Sequence, residues 1–320
     1  MAPITPITIL QAFNVPAAEE AVVDKPTNSK NNPKPSEKIH LCVDPELILL
    51  PGYGTDKKKL VKASCSSDTT KSTEPPTKVV LGDAQHWIKQ GRRIINYEKS
   101  SPAPALNRLT LQYLAEEDAS TYHINEADIV RSAAVHLLHP VNQALWQHTC
   151  SDDEKATVRC QAESIAEHIR NDIAYFRNDS HGMRPFAVIE MKRRGIIKKH
   201  EFENAAKPQG RKDKAPEEGD IATAGFKNCS LILMKQASSY AIGRGTQYVV
   251  LFDWDYLILC FFPDLDVNKP LDWRREKGIG SKCVVTIIPF NPESHKMRIC
   301  LLGFLAEAFV ETPEKVKDQN

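Results

Sequence analysis

Between Asp172 and Lys192 the chain reads as strand, turn, strand, and this hairpin limits the fold more than any other stretch. Asp172-Ile-Ala-Tyr-Phe-Arg177 is predicted as a short strand and residues 178–182 as a turn. Arg184-Pro-Phe-Ala-Val-Ile-Glu-Met-Lys192 then forms a second strand. Strand side chains alternate, so Glu190 and Lys192 share one face while Ile189 and Met191 take the other. A carboxylate and an ammonium side by side on an otherwise apolar strand cost free energy unless something satisfies or uses them. Asp172 opens the first strand and brings a second carboxylate beside Glu190 across the hairpin. Two converging oxygen donors suit a hard divalent cation such as Mg²⁺ or Mn²⁺, which takes one or two carboxylates plus water and substrate phosphate. A neighbouring lysine can then orient an attacking water or stabilise charge on phosphoryl oxygens.

The flanking segments alternate between helix and strand. Residues 83–95 and 103–115 read as helices. Asn125-Glu126-Ala127-Asp128 is a helix start, with an N-cap residue and two carboxylates that complement the dipole. Ile129, Val130, Ala133, Ala134, Leu137 and Leu138 continue it at helical spacing, and Pro140 is expected to kink or end it. Residues 156–169 fit either a half-buried strand or a helix. A polar, charge-rich loop is predicted at 206–219 and a helix at 228–242. Two apolar strands, 247–252 and 256–262, are joined at Asp253-Trp254-Asp255, followed by a strand at 284–289 and a helix at 297–310. This order predicts an α/β fold with a mixed sheet.

Composition narrows the function classes. Of 320 residues, 41% are hydrophobic and 26% charged, enough to bury a core. The net charge is +1, so attraction to a phosphate backbone has to come from a local patch rather than a global basic excess. The longest strongly apolar run, 256–262, falls far short of the roughly 20 residues that cross a bilayer, so no membrane span is expected. The first residues lack a basic n-region, and the eight cysteines form no C-x-x-C pair. Both features predict an intracellular protein, in cytoplasm or nucleus. Residues 16–38 and 64–78 are rich in Pro, Ser, Thr, Asn and Lys, which predicts a loose amino-terminal region over residues 1–80, apart from an apolar island at 40–50. The folded domain is expected over 81–320.

Asp172, seventeen intervening residues and Glu190-x-Lys192, followed by Gln236-Ala-Ser-Ser-Tyr240 on a later helix, resemble the signature of the PD-(D/E)XK nuclease superfamily, in its RecB-like branch with a Q-x-x-x-Y motif. The chain is similar to uncharacterised fungal members over roughly residues 120–262. The resemblance implies a restriction-endonuclease-like αβββαβ core, with Asp172 and Glu190 as metal ligands and Lys192 as a catalytic residue. Gln236 and Tyr240 would support the site or its substrate. It also favours the strand reading of 156–165 and implies an acidic ligand in or after the first core helix, for which Glu126, Asp128 and Glu163 compete. The long interval from Lys192 to Gln236 requires an insertion, expected at 198–219.

The activity so implied is Mg²⁺- or Mn²⁺-dependent phosphodiester hydrolysis on DNA or RNA. Arg193, Arg194, Lys198 and Lys199 leave the site-bearing strand and are expected, with Tyr240, to contact the nucleic acid. The alternatives are a catalytically inactive module of the same fold that binds nucleic acid or protein, and a scaffold whose amino-terminal arm recruits partners. His136 and His139, three apart on a helix, read as core-edge histidines rather than metal ligands.

Overall fold

The computed structural model describes residues 68–100, 126–150, 156–166, 169–180, 182–207, 224–291 and 296–312. The island at 40–50, the expected helix at 103–115 and Asn125 lie outside the described residues. The described residues include elements on the amino-terminal side of the expected boundary at 80. Asp68–Ser72 forms a short helix, α1, and Lys78–Leu81 a strand, β1, whose partner is a strand near the carboxyl end. Local composition missed this because β1 gains its hydrogen bonds from a segment about 200 residues away.

The remaining elements are α2 (Ala84–Ser100), α3 (Glu126–Ala133), a π-helical turn (Ala134–Leu138), α4 (His139–Cys150), β2 (Thr157–Ala166), β3 (Ile169–Asp179) and β4 (Gly182–Met191). After them come α5 (Lys199–Ala205), α6 (Asn228–Arg244), β5 (Tyr248–Phe252), β6 (Tyr256–Phe261), α7 (Leu271–Lys277), β7 (Lys282–Pro289) and α8 (Lys296–Glu311). Seven strands form one mixed sheet in the order β1-β7-β6-β5-β4-β3-β2. The pairs β1·β7 and β4·β5 are parallel and the others antiparallel. The ambiguous segment therefore resolves as a strand over Thr157–Ala166, and α5 stands at the start of the segment expected to be an insertion.

Each sheet face is covered by helices, and strand alternation decides which residue meets which layer. Ala187, Ile189 and Met191 of β4 join one core cluster with Trp87 of α2, Leu145 of α4 and Phe304 of α8. Val188 of β4, Val249 and Leu251 of β5 and Ile258 of β6 join the other, against Phe202 of α5 and Leu233 and Ala237 of α6. The helices α2 and α8 approach backbone to backbone. A Cβ on Gly303 would lie 2.2 Å from the Trp87 carbonyl oxygen, so only glycine fits there. Helix α6 stops at Gly245, whose φ of 65° is left-handed, as the sequence Gly243-Arg-Gly245 predicts. No helix among the described residues is long and apolar enough to cross a membrane.

Pro140 does not end its helix. The chain stays helical from α3 into α4 through the π turn, in which the His139 N–H bonds the Ala134 carbonyl. Proline has no N–H to give to a carbonyl one turn earlier. The buried guanidinium of Arg298, on α8, meets that need by donating from Nε to the His136 carbonyl at 2.7 Å. His136 is itself buried, and burial lowers its pKa to about 4, with the Arg298 charge adding to the effect.

Candidate metal centre

The site forms where β3, β4 and the first turn of α3 converge. Antiparallel register sets Ile173 opposite Ile189, which carries Asp172 to the position facing Glu190. The Asp172 carboxylate is fixed there by the Met191 backbone N–H, which donates to it at 2.7 Å. Helix α3 begins with Glu126, whose exposed side chain completes a group in which one oxygen each of Glu126, Asp172 and Glu190 lie within 4.8 Å of one another. Exposure falls from Glu126 through Asp172 to the buried Glu190, so the group runs from solvent into the fold.

Lys192 closes the group. Its Nζ donates to Glu190 Oε1 at 2.5 Å and stands 3.4 Å from Glu126 Oε1. Burial pulls the Lys192 pKa down, but Glu190 and Glu126 outweigh it and hold the ammonium above its ordinary value. Burial pushes the Glu190 carboxyl up to about 7. Lys192 opposes that rise, and the Asp172 charge adds to it. The Tyr240 phenol interacts with the same carboxylate, and burial together with Glu190 raises its pKa well above the usual value.

Three carboxylates face one ammonium, and among the described residues the buried Glu190 Oε2 meets no hydrogen-bond geometry apart from its interaction with the Tyr240 phenol. A buried carboxylate oxygen left in this state is costly. Oxygens on one Mg²⁺ stand at most about 4.2 Å apart and those on one Ca²⁺ about 5 Å, so three carboxylate oxygens within 4.8 Å of one another lie close to the spacing that a single cation needs. The donor set therefore fits a hard divalent cation.

The sequence-predicted residues separate into groups. Asp172, Glu190 and Lys192 come together as expected, and of the competing acids Glu126 joins them. Glu163 lies on β2, between the registered pairs Ala162↔Ile173 and Ser164↔Asn171, hence across from Asp172 in the backbone ladder. Gln236 and Tyr240 lie one turn apart on α6, and both are buried. Tyr240, expected to support the site and to contact nucleic acid, is buried and interacts with the Glu190 carboxylate from inside the fold. Two of the four expected backbone contacts have partners already, since Arg194 Nε bonds Asp255 Oδ1 at 2.8 Å and Lys199 pairs with Glu203 at 3.2 Å. Arg193 is exposed and Lys198 half-buried.

From the sequence alone, Asp253-Trp254-Asp255 is only a joint between two strands. In the structure Asp253 is fully buried beside the segment that carries Lys192. The available signal was a bulky residue flanked by two acids where a tight hairpin favours glycine or asparagine. No family model, curated protein or solved structure matches this chain.

Proposed function

We propose that the protein is a metal-dependent phosphodiesterase acting on nucleic acid, built on a restriction-endonuclease-like core. The observation that carries this reading is the convergence of Glu126, Asp172 and Glu190 on one point with Lys192 against them. The order helix, three antiparallel strands, helix, parallel strand, running from α3 to β5, supports the fold assignment.

Glu126, Asp172 and Glu190 would hold Mg²⁺ or Mn²⁺, which when bound supplies water activation and charge neutralisation at a phosphoryl group. The chain contributes the rest. Lys192, kept protonated by its acidic neighbours, offers a donor to a non-bridging phosphate oxygen, where negative charge grows during in-line attack. The Met191 N–H holds the Asp172 carboxylate in place beside the site. Tyr240 restrains the inner carboxylate. Arg193 and Lys198, at the exit of β4, are the basic groups best placed to meet a phosphate backbone.

The test is a cleavage assay on single- and double-stranded DNA and RNA with Mg²⁺ or Mn²⁺, beside Mn²⁺ calorimetry on wild type and Glu190→Ala. Cleavage that requires metal and disappears with Glu190 supports the reading. Nucleic-acid binding without cleavage, unaltered in Glu190→Ala, favours the inactive binding module instead.

A further inference from the structure

The loop leaving β4, residues 192–197, is attached to the end of β5 and to the turn that follows it at three points. Lys192 N–H donates to the Phe252 carbonyl at 2.7 Å, and Ile197 N–H donates to Asp253 Oδ2 at 2.7 Å. The Arg194 guanidinium meets Asp255 Oδ1 at 2.8 Å. The other Asp253 oxygen accepts the Tyr256 N–H at 3.0 Å, so a single buried carboxylate joins the loop to the hairpin.

The turn itself is unusual. Trp254 has φ of 74°, a left-handed conformation that bulky side chains rarely adopt. It is held by burial, with its ring 5.7 Å from Phe252 and 6.4 Å from Phe290. A hairpin that needed only to reverse direction would use glycine or asparagine here. The conformation aims Asp253 and Asp255 to the same side, toward the loop. Strain maintained by its surroundings in this way concentrates at functional sites.

We propose that the Asp253-Trp254-Asp255 turn positions Lys192, with Asp253 as the main positioning residue. The inference rests on the phosphodiesterase reading only for its catalytic consequence. Lys192 follows the last residue of β4, and its N–H makes the final bond of that strand to β5, so the ladder holds its backbone while the chain beyond it depends on the ties at Asp253 and Asp255. Its side chain holds both Glu190 and Glu126, and a loop free to swing would release that contact. The ties at Phe252, Asp253 and Asp255 prevent the swing. They also explain why Arg194, though basic and beside the site, faces an acid rather than a substrate.

Asp253→Asn tests this, because it keeps the side-chain shape and replaces one acceptor oxygen with a donor facing a backbone N–H. Access to Lys192 is read without any enzyme assay, by competitive acetylation with acetic anhydride, using the half-exposed Lys277 as internal reference. Lys192 should label several-fold faster in the variant, while Mn²⁺ affinity measured by calorimetry stays unchanged. On a cleaved substrate kcat should fall about tenfold or more with KM unchanged. Added to Lys192→Ala, the same change should cost nothing further. Unaltered Lys192 labelling in a folded Asp253→Asn protein, or an equal loss of kcat in both backgrounds, overturns the proposal. If wild type cuts no nucleic acid while labelling still rises, the phosphodiesterase reading fails and the positioning role stands. If Asp253→Asn does not fold, Asp255→Asn removes the outer tie alone and should give a smaller rise in labelling. No rise there overturns the proposal as well.

Discussion

Replacing Glu190 by Gln should strengthen the metal-free fold at high pH and abolish its response to metal. In the folded protein burial raises this carboxyl from 4.5 to about 7. Such a shift corresponds to about 3 kcal/mol of free energy. The sign follows from which state prefers the proton. With the folded pKa above the unfolded one, the fold favours the protonated acid. The cost is absent below about pH 4.5, grows through the interval, and is complete above about pH 7. Glutamine is nearly isosteric and never ionises, so it escapes that cost. It does weaken the contact with Lys192, whose ammonium then keeps Glu126 as its closer acidic partner, so the net gain near pH 8 is about 1–3 kcal/mol. Metal reverses the order. At about 100 times Kd, Mn²⁺ should add about 2.7 kcal/mol to wild type and almost nothing to Glu190→Gln. Urea denaturation at about pH 5 and about pH 8, in EDTA and in MnCl₂, reads all four values. A variant-minus-wild-type difference that ignores pH in EDTA, or equal stabilisation of both proteins by Mn²⁺, would refute the reasoning.

Lys192→Ala should keep its Mn²⁺ affinity in calorimetry and lose about 10²-fold in cleavage rate, because it removes a donor to the reacting phosphate rather than a metal ligand. Changing Arg193 and Lys198 to Ala should reduce the slope of log K against log salt by about 1 each in a filter-binding series, whereas Arg194→Ala, already paired with Asp255, should leave the slope unchanged. Arg298→Met should destabilise the fold by about 1–3 kcal/mol in urea, since the buried His136 carbonyl loses its donor. Pro140→Ala, which restores a backbone N–H one turn later, should make that loss smaller, and purely additive effects would argue against the pairing. Acid should destabilise the protein through His136, whose depressed pKa of about 4 removes about 3 kcal/mol as pH falls from about 6.5 to about 4. The loss should be absent in His136→Gln melts.

The sequence by itself determined the hairpin and the side of it on which the chemistry lies. Alternation along residues 187–191 is a two-residue period, so the shared face of Glu190 and Lys192 follows from the residues alone, and hairpin pairing brings Asp172 across from them. The α6 helix and the β5 and β6 strands were legible for the same reason, since their patterns repeat within a few residues. Other features depended on contacts between segments far apart in the chain. Glu126, Asp128 and Glu163 look equally suited as the third acid, and only the docking of the α3 amino terminus against the end of β4 selects Glu126 for the described cluster. Pro140 carries a helix-breaking signal, but Arg298, some 160 residues later, removes its cost. The segment at 64–78 looks too polar to pack, yet the next residues form β1 because β7 offers a free edge. Arg194 and Tyr240 look like surface contacts until Asp255 and Glu190 claim them. A local period can be read from neighbouring residues, but the partner of a buried charge or an unpaired backbone group is fixed by packing, which brings together residues that sequence order keeps apart.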